Sequence, residues 1–597
     1  MEGKVELEKQ SGADHNLPVQ PDGSFYTLDS IDLNNEQSDL VFSVLKKIKE
    51  WTEFPTTKKT NQEAHFEPLR ITVIGPGGTG KSFVINVLVT CFKTLFPDLD
   101  VTTVVGPTGA SAFNVGGQTV HSKFRLSPMN LDADLSSDQE AHLIDEFRRL
   151  LLLCVDERSL VSSGLLGAVH GRCLKTAHGG QPTNDFPFGP IPIVLVFGDD
   201  HQLPSVTIGN VGKGAIWILD ENGNQERSKC CPGETMGQLA FLELAKDVHE
   251  LVQSHRLDKD PMLKGILEDL RSTGKLSDDQ ISHLETLHVD NLTPATLEFL
   301  TTRATWIFTT RQGKNDHNYK RIAEVHSPTN PVCHLITSKS GTGGSSFNAR
   351  HWDRKTLDNT GSTYFCRDAR VCIRGWNMMA SWGLFNGSMA TVVQIMYKEG
   401  ASPNENHLPE YVIVELDSYR GPIWNVDKPN HVPIPMKTMR CKAGCCIMMY
   451  CPLELAFART LHTFQGGEAG HGKPIPAVVV EVGTSQFEAN NVGTLYTSIS
   501  RGSTTGNGNP DRSTIFFSGV NACKKRLQDT FHKKSSFNSE QLLDKVKRRM
   551  RWIKKLLAGK RGNHPSAEEK EELQEWAMNF QMDRFELDEL IDFHKKA

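Results

Sequence analysis

The sequence predicts an α/β fold with buried parallel strands, and three observations carry that prediction. Four near-continuous apolar runs, ITVI (71–74), VTTVV (101–105), LLLCV (151–155) and IPIVLVF (191–197), alternate with helical stretches, the pattern of strands covered on both faces. The first run leads through GPGGTGKS (75–82) into an apolar helix. The polar residues after all four runs, GPGGTGKS, GPTGASAF, DERS and GDDHQLPSV, fall at the carboxyl ends of the strands, where ligands gather in such sheets.

The first polar cluster fills G-x-x-x-x-G-K-[ST] in the strand-to-helix context that a phosphate loop requires. Gly75, Pro76, Gly77, Gly78, Thr79, Gly80, Lys81 and Ser82 are the candidate nucleotide contacts. Its glycines let backbone N–H groups close around phosphate oxygens with no Cβ in the way, and the helix adds its positive end. Lys81 is expected to neutralise the β- and γ-phosphates and the Ser82 hydroxyl to ligate Mg²⁺. In the third cluster, Asp156 ends its strand and is expected to hold the Mg²⁺ shell. Glu157 is placed to orient or deprotonate the attacking water. In the fourth, the amide of Gln202 stands at the strand edge, where it can touch the γ-phosphate. ATP and Mg²⁺ are thus the expected substrate and metal.

Composition bounds the rest. A chain of 597 residues is too long for one core, so three or four domains are expected. It is 38% hydrophobic and 23% charged, ordinary for a soluble globular protein. The start MEGKVELEKQ lacks an apolar signal region and no run approaches a spanning length, so secretion and membrane insertion are not expected. Thirteen scattered cysteines fit a reducing compartment. A net charge of −5 gives no global nucleic-acid signal, yet leaves room for a local basic groove.

With these clusters, further stretches resemble, in order over roughly residues 30–505, the superfamily-1 DNA helicases of the RecD-like and petite-integration-frequency (telomere-maintenance) branch. LNNEQSDL (33–40) is similar to the glutamine motif, which implies Gln37 on adenine. VVGPTGASAFNVGGQTVHSKF (104–124) resembles the first DNA-contacting motif, implying contacts from Thr108, Gly109 and His121. ELVQSHRLDKD (250–260) resembles the fourth motif and implies that Arg256 is a second-lobe arginine. FARTLHTFQGG (457–467) resembles the fifth, with His462 and Gln465 on DNA, and LYTSISRG (495–502) the sixth, with Arg501 as the other arginine finger. The chain departs from the family at Ser205, at Thr463–Phe464 and at Arg158, which replaces an aliphatic residue.

The resemblance implies two RecA-like phosphate-loop lobes with parallel sheets that clamp ATP. After a flexible start (1–29), the first lobe is expected over 30–228, with a short wedge near 125–145. The second is expected over 229–365 and 453–532. DARVCIRGWNMMASWGLFNGSMATVVQI (368–395) reads as β-rich with a turn at Asn386–Gly387. It resembles the family's SH3-like insertion over the DNA channel, placed at 366–452, with Asn386 a DNA contact. Gly209–Gly237 and Lys339–Thr363 read as surface insertions.

What the resemblance implies for function is a monomeric motor on single-stranded and forked DNA, moving 5′ to 3′ and unwinding duplex in recombination, repair or replication. RNA is the weaker alternative track. An ATPase switch that remodels nucleic acid, or the helicase segment of a mobile-element protein, are the alternative readings. An intracellular location is implied, nuclear or mitochondrial in a eukaryote and cytoplasmic otherwise.

Two features lie outside the motifs. MRCKAGCCIMMYC (439–451) matches no standard zinc-knuckle spacing and has no histidine near it in sequence, so it reads as reduced thiols in a strand. The helical tail (533–597) is basic and then acidic: Lys545–Arg561 holds nine basic residues, Glu568–Asp592 ten acidic and two basic. Ser566 and Glu569 form a capping-box pattern, and Leu573, Trp576, Phe580, Leu587 and Leu590 supply an apolar stripe. Either both helices are solvated or the second packs on the motor core, or the acidic helix shields the basic helix in a hairpin until DNA competes for it.

Overall fold

The computed structural model of the chain describes residues 31–519 and 565–596, apart from 206–231, 482–492 and several stretches of one to six residues. Two compact units emerge. Residues up to Asp258 and those of the C-terminal tail form one, and residues from Lys259 on form the other.

In the first unit, β1 (Leu69–Ile74), β2 (Thr102–Gly106), β3 (Gln118–Thr119), β4 (Leu152–Val155), β5 (Ile193–Gly198) and β6 (Val248–Glu250) make one sheet in the order β3-β2-β4-β5-β1-β6. Every pairing is parallel. The four apolar runs are β1, β2, β4 and β5, as the sequence predicts. Their continuity has a visible cause. Ile193, Leu195 and Phe197 pack on one face with helices α1 (Asn35–Thr60) and α2 (Lys81–Leu95), while Val194 and Val196 pack on the other. Both faces are covered, so both alternate positions are buried or half-buried and take apolar residues or threonine.

The first unit extends further than the sequence reading placed it. Helix α3 (Gly109–Asn114), α4 (Val120–Lys123), α5 (Ser137–Phe147) and α6 (Ser163–Thr176) follow in turn, and α7 (Pro232–Leu244) lies against α6. There a Cβ at Gly237 would come within 1.8 Å of the Ser163 carbonyl oxygen. The chain then enters β6, which pairs with β1 through Thr72↔Val248 and Ile74↔Glu250. Residues 229–258 therefore belong to the first unit, not to the second lobe.

The second unit holds a parallel sheet of Ala458–Thr460, Thr305–Phe308, Val478–Glu481 and Ile515–Ser518, in that order. The lobes are thus α/β in the RecA-like manner. Between the parallel strands, an antiparallel sheet of five strands runs from Arg370–Ile373 to Leu453–Leu455, overlapping the interval expected for an SH3-like insertion. Strand Ser338–Gly341, from the stretch read as a surface insertion, pairs with Cys446–Tyr450. Among the described residues no helix is long and apolar enough to cross a membrane.

The tail helices, Ala567–Asn579 and Arg584–Lys596, pack on the first unit. Leu573, Ala577, Leu587, Leu590 and Ile591 are buried in the same cluster as Leu40, Val44 and Leu88. Met582 N–H donates to the Leu95 carbonyl at 3.1 Å. Lys46 pairs with Glu569 (2.9 Å) and Arg149 with Asp588 (2.7 Å). The capping box is present, with Glu569 N–H donating to Ser566 Oγ. The acidic segment therefore spends its apolar stripe on the core of the first unit, the packed form of the first alternative. Its basic neighbour, 545–561, lies outside the described residues.

His594 stacks on Trp51 with ring centroids 4.6 Å apart and shares a hydrogen bond with the Trp51 carbonyl at 2.9 Å. Burial pushes its pKa down to about 4, against the effect of that bond. The sign follows directly. The undocked tail binds the proton at the ordinary histidine pKa and the docked tail does not, so docking is unaffected above that value and is lost as pH falls from there toward 4. Lowering pH from about 7.5 to about 5.5 is expected to raise the undocked population about tenfold. Hydrogen exchange of residues 567–596, corrected for intrinsic rates, measures it. The pH dependence is expected to disappear in His594→Phe, which keeps the stacked ring.

Candidate functional site

The phosphate loop closes on itself and on its neighbours. Gly78 and Gly80 take left-handed φ of 88° and 82°. A Cβ at Gly77 would lie 2.5 Å from Arg256 Nη2, and one at Gly80 would lie 2.4 Å from Gln37 Nε2. Lys81, the first residue of α2, donates from Nζ to the carbonyls of Gly75 (2.7 Å) and Pro76 (2.8 Å). Thr79 Oγ1 donates to Pro76 O at 3.0 Å. Burial pushes the Lys81 pKa down and the Arg256 charge adds to this, while Asp199, Glu157 and Asp156 act in the opposite direction. Three carboxylates thus converge on the lysine that is to meet a polyphosphate.

Asp156 and Glu157 follow β4 directly. Burial raises the Asp156 pKa and the Glu157 carboxylate raises it further, with the Glu157 amide and Lys81 opposing. A cation placed beside it would relieve both of the raising effects. Asp156 and the Ser82 hydroxyl supply hard oxygen donors beside the loop, a donor chemistry that fits Mg²⁺. Glu157 adopts a left-handed backbone, φ 50° and ψ 51°, at the start of the 3₁₀ turn Arg158–Leu160. Such a conformation costs a non-glycine residue about 1–3 kcal/mol and persists only where the surroundings impose it.

Beyond β5, Asp199 is fully buried and Gln202 nearly so. Gln202 N–H donates to the Asp199 carbonyl, and His201 N–H to Asp199 Oδ1, each at 3.1 Å. Asp199 is a member of the Lys81 environment that the sequence reading passed over, although its position as the first residue past a buried strand was the available signal.

Arg158, the departure in the third cluster, also finds its reason here. It forms a buried ion pair with Asp200, both about 1% exposed, and lies over the Phe241 ring. The pair ties the DERS loop to the GDDHQLP loop. Asp200→Ala is expected to cost about 3–5 kcal/mol by stranding a buried guanidinium, whereas Arg158→Met with Asp200→Leu recovers most of the loss. Denaturant midpoints of the two variants measure this.

Gln37 sits in the first turn of α1, where Asn34 and Gln37 cap one another. Its Nε2 donates to the Thr79 carbonyl at 3.1 Å, which attaches α1 to the phosphate loop. Arg256 requires a correction. It is not an arginine of the second lobe. It belongs to the first unit, where His255 N–H donates to the Gly78 carbonyl at 3.1 Å and the Arg256 side chain lies over Gly77 and Gly78. The short strand β6 delivers it there.

The residues expected on DNA divide between the units. Thr108, past β2, caps α3 through Ser111, and Gly109 begins that helix. His121 lies in α4, immediately after β3. All three therefore stand at the same sheet edge as the phosphate loop. In the second unit, Arg501 is buried and donates from Nε to Thr497 O (3.1 Å) and from Nη1 to Gly467 O (3.0 Å). The chain just after it is fixed by Asp260, which accepts from Thr504 Oγ1 and Thr505 Oγ1, both at 2.8 Å. His462 lies in the short helix Leu461–Phe464, its pKa lowered by burial. Asn386 is exposed and its Oδ1 accepts from Gly375 N–H at 2.8 Å. Gln465 lies outside the described residues.

Comparison with known proteins agrees with this geometry. Residues 56–216 match the family model of the PIF1-like helicases. The ATP-dependent DNA helicase PIF4 of Trypanosoma brucei brucei is 35% identical over 131 residues, 22% of this chain and 16% of that protein. The ATP-dependent DNA helicase Pif1 of Campylobacter jejuni is 29% identical over 140 residues, 22% of this chain and 28% of that one. The matched part is thus well under a third of either relative. In fold, the crystal structure of Pif1 helicase from Candida albicans aligns over 87% of this chain and 99% of its own, with a TM-score of 0.57 at 18% identity. A structure of two coordinating Pif1 helicases at forked duplex DNA aligns over 82% of this chain and 92% of its own, with a TM-score of 0.54 at 18% identity. Residues 56–216, which hold the phosphate loop, are thus similar to the PIF1-like helicases.

Proposed function

We propose that this chain, similar to the PIF1-like helicases in its phosphate-loop segment, is an ATP-driven motor that moves 5′ to 3′ along single-stranded DNA and unwinds duplex ahead of it. The observation that carries the reading is the convergence of Asp156, Glu157 and Asp199 on Lys81 within a glycine cradle. The backbone N–H groups and Lys81 bind the phosphates, and Lys81 exchanges its two loop carbonyls for phosphate oxygens. Asp156 and Ser82 would hold Mg²⁺, which would supply neutralisation of phosphate charge when bound. Glu157 orients a water for attack on the γ-phosphorus and accepts its proton. Arg256, lying over the loop, stabilises charge on the transferring phosphoryl group.

Thr108, Gly109 and His121 share the sheet edge with this machinery, so loss of the γ-phosphate is felt where DNA is held. Single-stranded and forked DNA are the proposed substrates; the structure of two coordinating Pif1 helicases at forked duplex DNA is a supporting analogy in fold. Strand displacement with matched 5′-tailed, 3′-tailed and forked duplexes tests the proposal. ATP-dependent unwinding of the 5′-tailed and forked substrates is expected. Unwinding restricted to 3′ tails overturns the polarity, and hydrolysis stimulated by DNA without any displacement favours the remodelling switch.

A further inference from the structure

The fold gathers four metal-ligating side chains that are remote in sequence. His351 ends a single 3₁₀ turn, Ala349–His351, while Cys441, Cys445 and Cys446 come from the tip of the hairpin joining Lys437–Arg440 to Cys446–Tyr450. One donor atom from each lies within 4.8 Å of all the others. Cys441 Sγ is 3.6 Å from Cys445 Sγ, which is 3.5 Å from Cys446 Sγ. His351 Nδ1 faces Cys445 Sγ at 2.9 Å. A disulfide needs sulfurs about 2.05 Å apart, so these thiols are not bonded to one another. Ligands about 2.3 Å from a tetrahedral ion are separated by about 3.8 Å, close to the spacing here.

The surroundings are built for the same purpose. Asn348 N–H donates to Cys446 Sγ at 3.2 Å, and the Asn348 side chain lies 3.3 Å from His351 Nε2, against the ring nitrogen that faces away from the sulfurs. Neighbours of this kind orient metal ligands. The hairpin tip is held by Cys441 N–H on Cys446 O and Gly444 N–H on Cys441 O, with Gly444 in a left-handed conformation. Thr342 fixes it from the other segment, N–H to Cys445 O at 2.8 Å and Oγ1 to Gly444 O at 3.1 Å. Cys451, by contrast, is an ordinary core thiol in the antiparallel-sheet cluster.

We propose that His351, Cys441, Cys445 and Cys446 form a structural zinc site that fastens the turn Ala349–His351 to the tip of the hairpin joining Lys437–Arg440 to Cys446–Tyr450. Three thiolates and an imidazole are soft enough to select zinc over the hard cations. Four protein ligands leave no open position, which marks the site as structural rather than catalytic. Binding displaces the thiol protons to solvent and leaves a centre of net charge −1, so occupancy rises with pH.

The test uses the full chain, purified under reducing conditions and dialysed against a chelator. One equivalent of zinc by elemental analysis is expected in the wild type, and its release on thiol modification. Cys445→Ser and His351→Ala, both at surface-accessible positions, are expected to lose the metal in the same dialysis, while Cys333→Ser keeps it. Cobalt(II) added to the metal-stripped wild type is expected to give the intense visible bands of a tetrahedral thiolate site, shifted or lost in His351→Ala. A zinc-free wild type that gives no such bands overturns the proposal. So does zinc retained in both ligand variants, or a Cys441–Cys445 disulfide in the chain isolated without reductant.

Discussion

DNA-stimulated ATP hydrolysis is expected to fall by a factor of about 10² or more in Lys81→Ala and in Glu157→Gln, and the two failures are expected to differ in kind. Lys81 is half-buried, and its charge offsets those of Asp199, Glu157 and Asp156 around it. Without it the phosphates meet three carboxylates unopposed, so ATP affinity is expected to fall together with turnover. Glu157→Gln keeps a side chain of the same shape at the left-handed position and removes only the proton acceptor. This variant is expected to bind ATP with Mg²⁺ as the wild type does and to hydrolyse it hardly at all. Neither change empties a core, so thermal midpoints stay near the wild-type value. A fluorescent ATP analogue for binding and phosphate release for turnover separate the two effects. Wild-type turnover in either variant removes the catalytic assignment.

The sheet of the first unit was legible because its physics is local. A strand covered on both faces has no solvent-facing alternate position, so β5 announces itself as IPIVLVF and points its carboxyl end at GDDHQLP. Gln37 is singled out in the sequence by resemblance alone; the structure adds a local reason for its place, since Asn34 and Gln37 cap one helix start within three residues. Arg256 was misplaced because β6 spans only three residues, Val248–Glu250, too few to show any periodicity. Its membership of the first sheet is decided by pairing with β1, a long-range contact that no local pattern encodes. The Arg158–Asp200 pair and the meeting of His351 with Cys441 are of the same type. In each, the partners lie on loops remote in sequence that the sheets bring together.

The second large effect is expected at the other end of the chain. Deleting residues 565–597 is expected to destabilise the first unit severely, with a lowered denaturation midpoint and a reduced soluble yield. Leu573, Ala577, Leu587, Leu590 and Ile591 are buried against α1 and α2, and removing them exposes Leu40, Val44 and Leu88 beneath. Each fully buried large aliphatic side chain contributes about 1.5–3 kcal/mol relative to exposure, partly offset by the conformational freedom the tail regains. A purely electrostatic tail predicts a different pattern of point variants. Neutralising Glu569 or Lys46, which pair with each other at the surface, is expected to leave stability almost unchanged, because exposed ion pairs contribute little. Leu590→Ala is expected to cost about 2–5 kcal/mol through the cavity it opens. If the charge variants proved as damaging as Leu590→Ala, the tail would be held by its acidity. Should only the apolar variant unfold the lobe, these last helices are part of the first unit's own core.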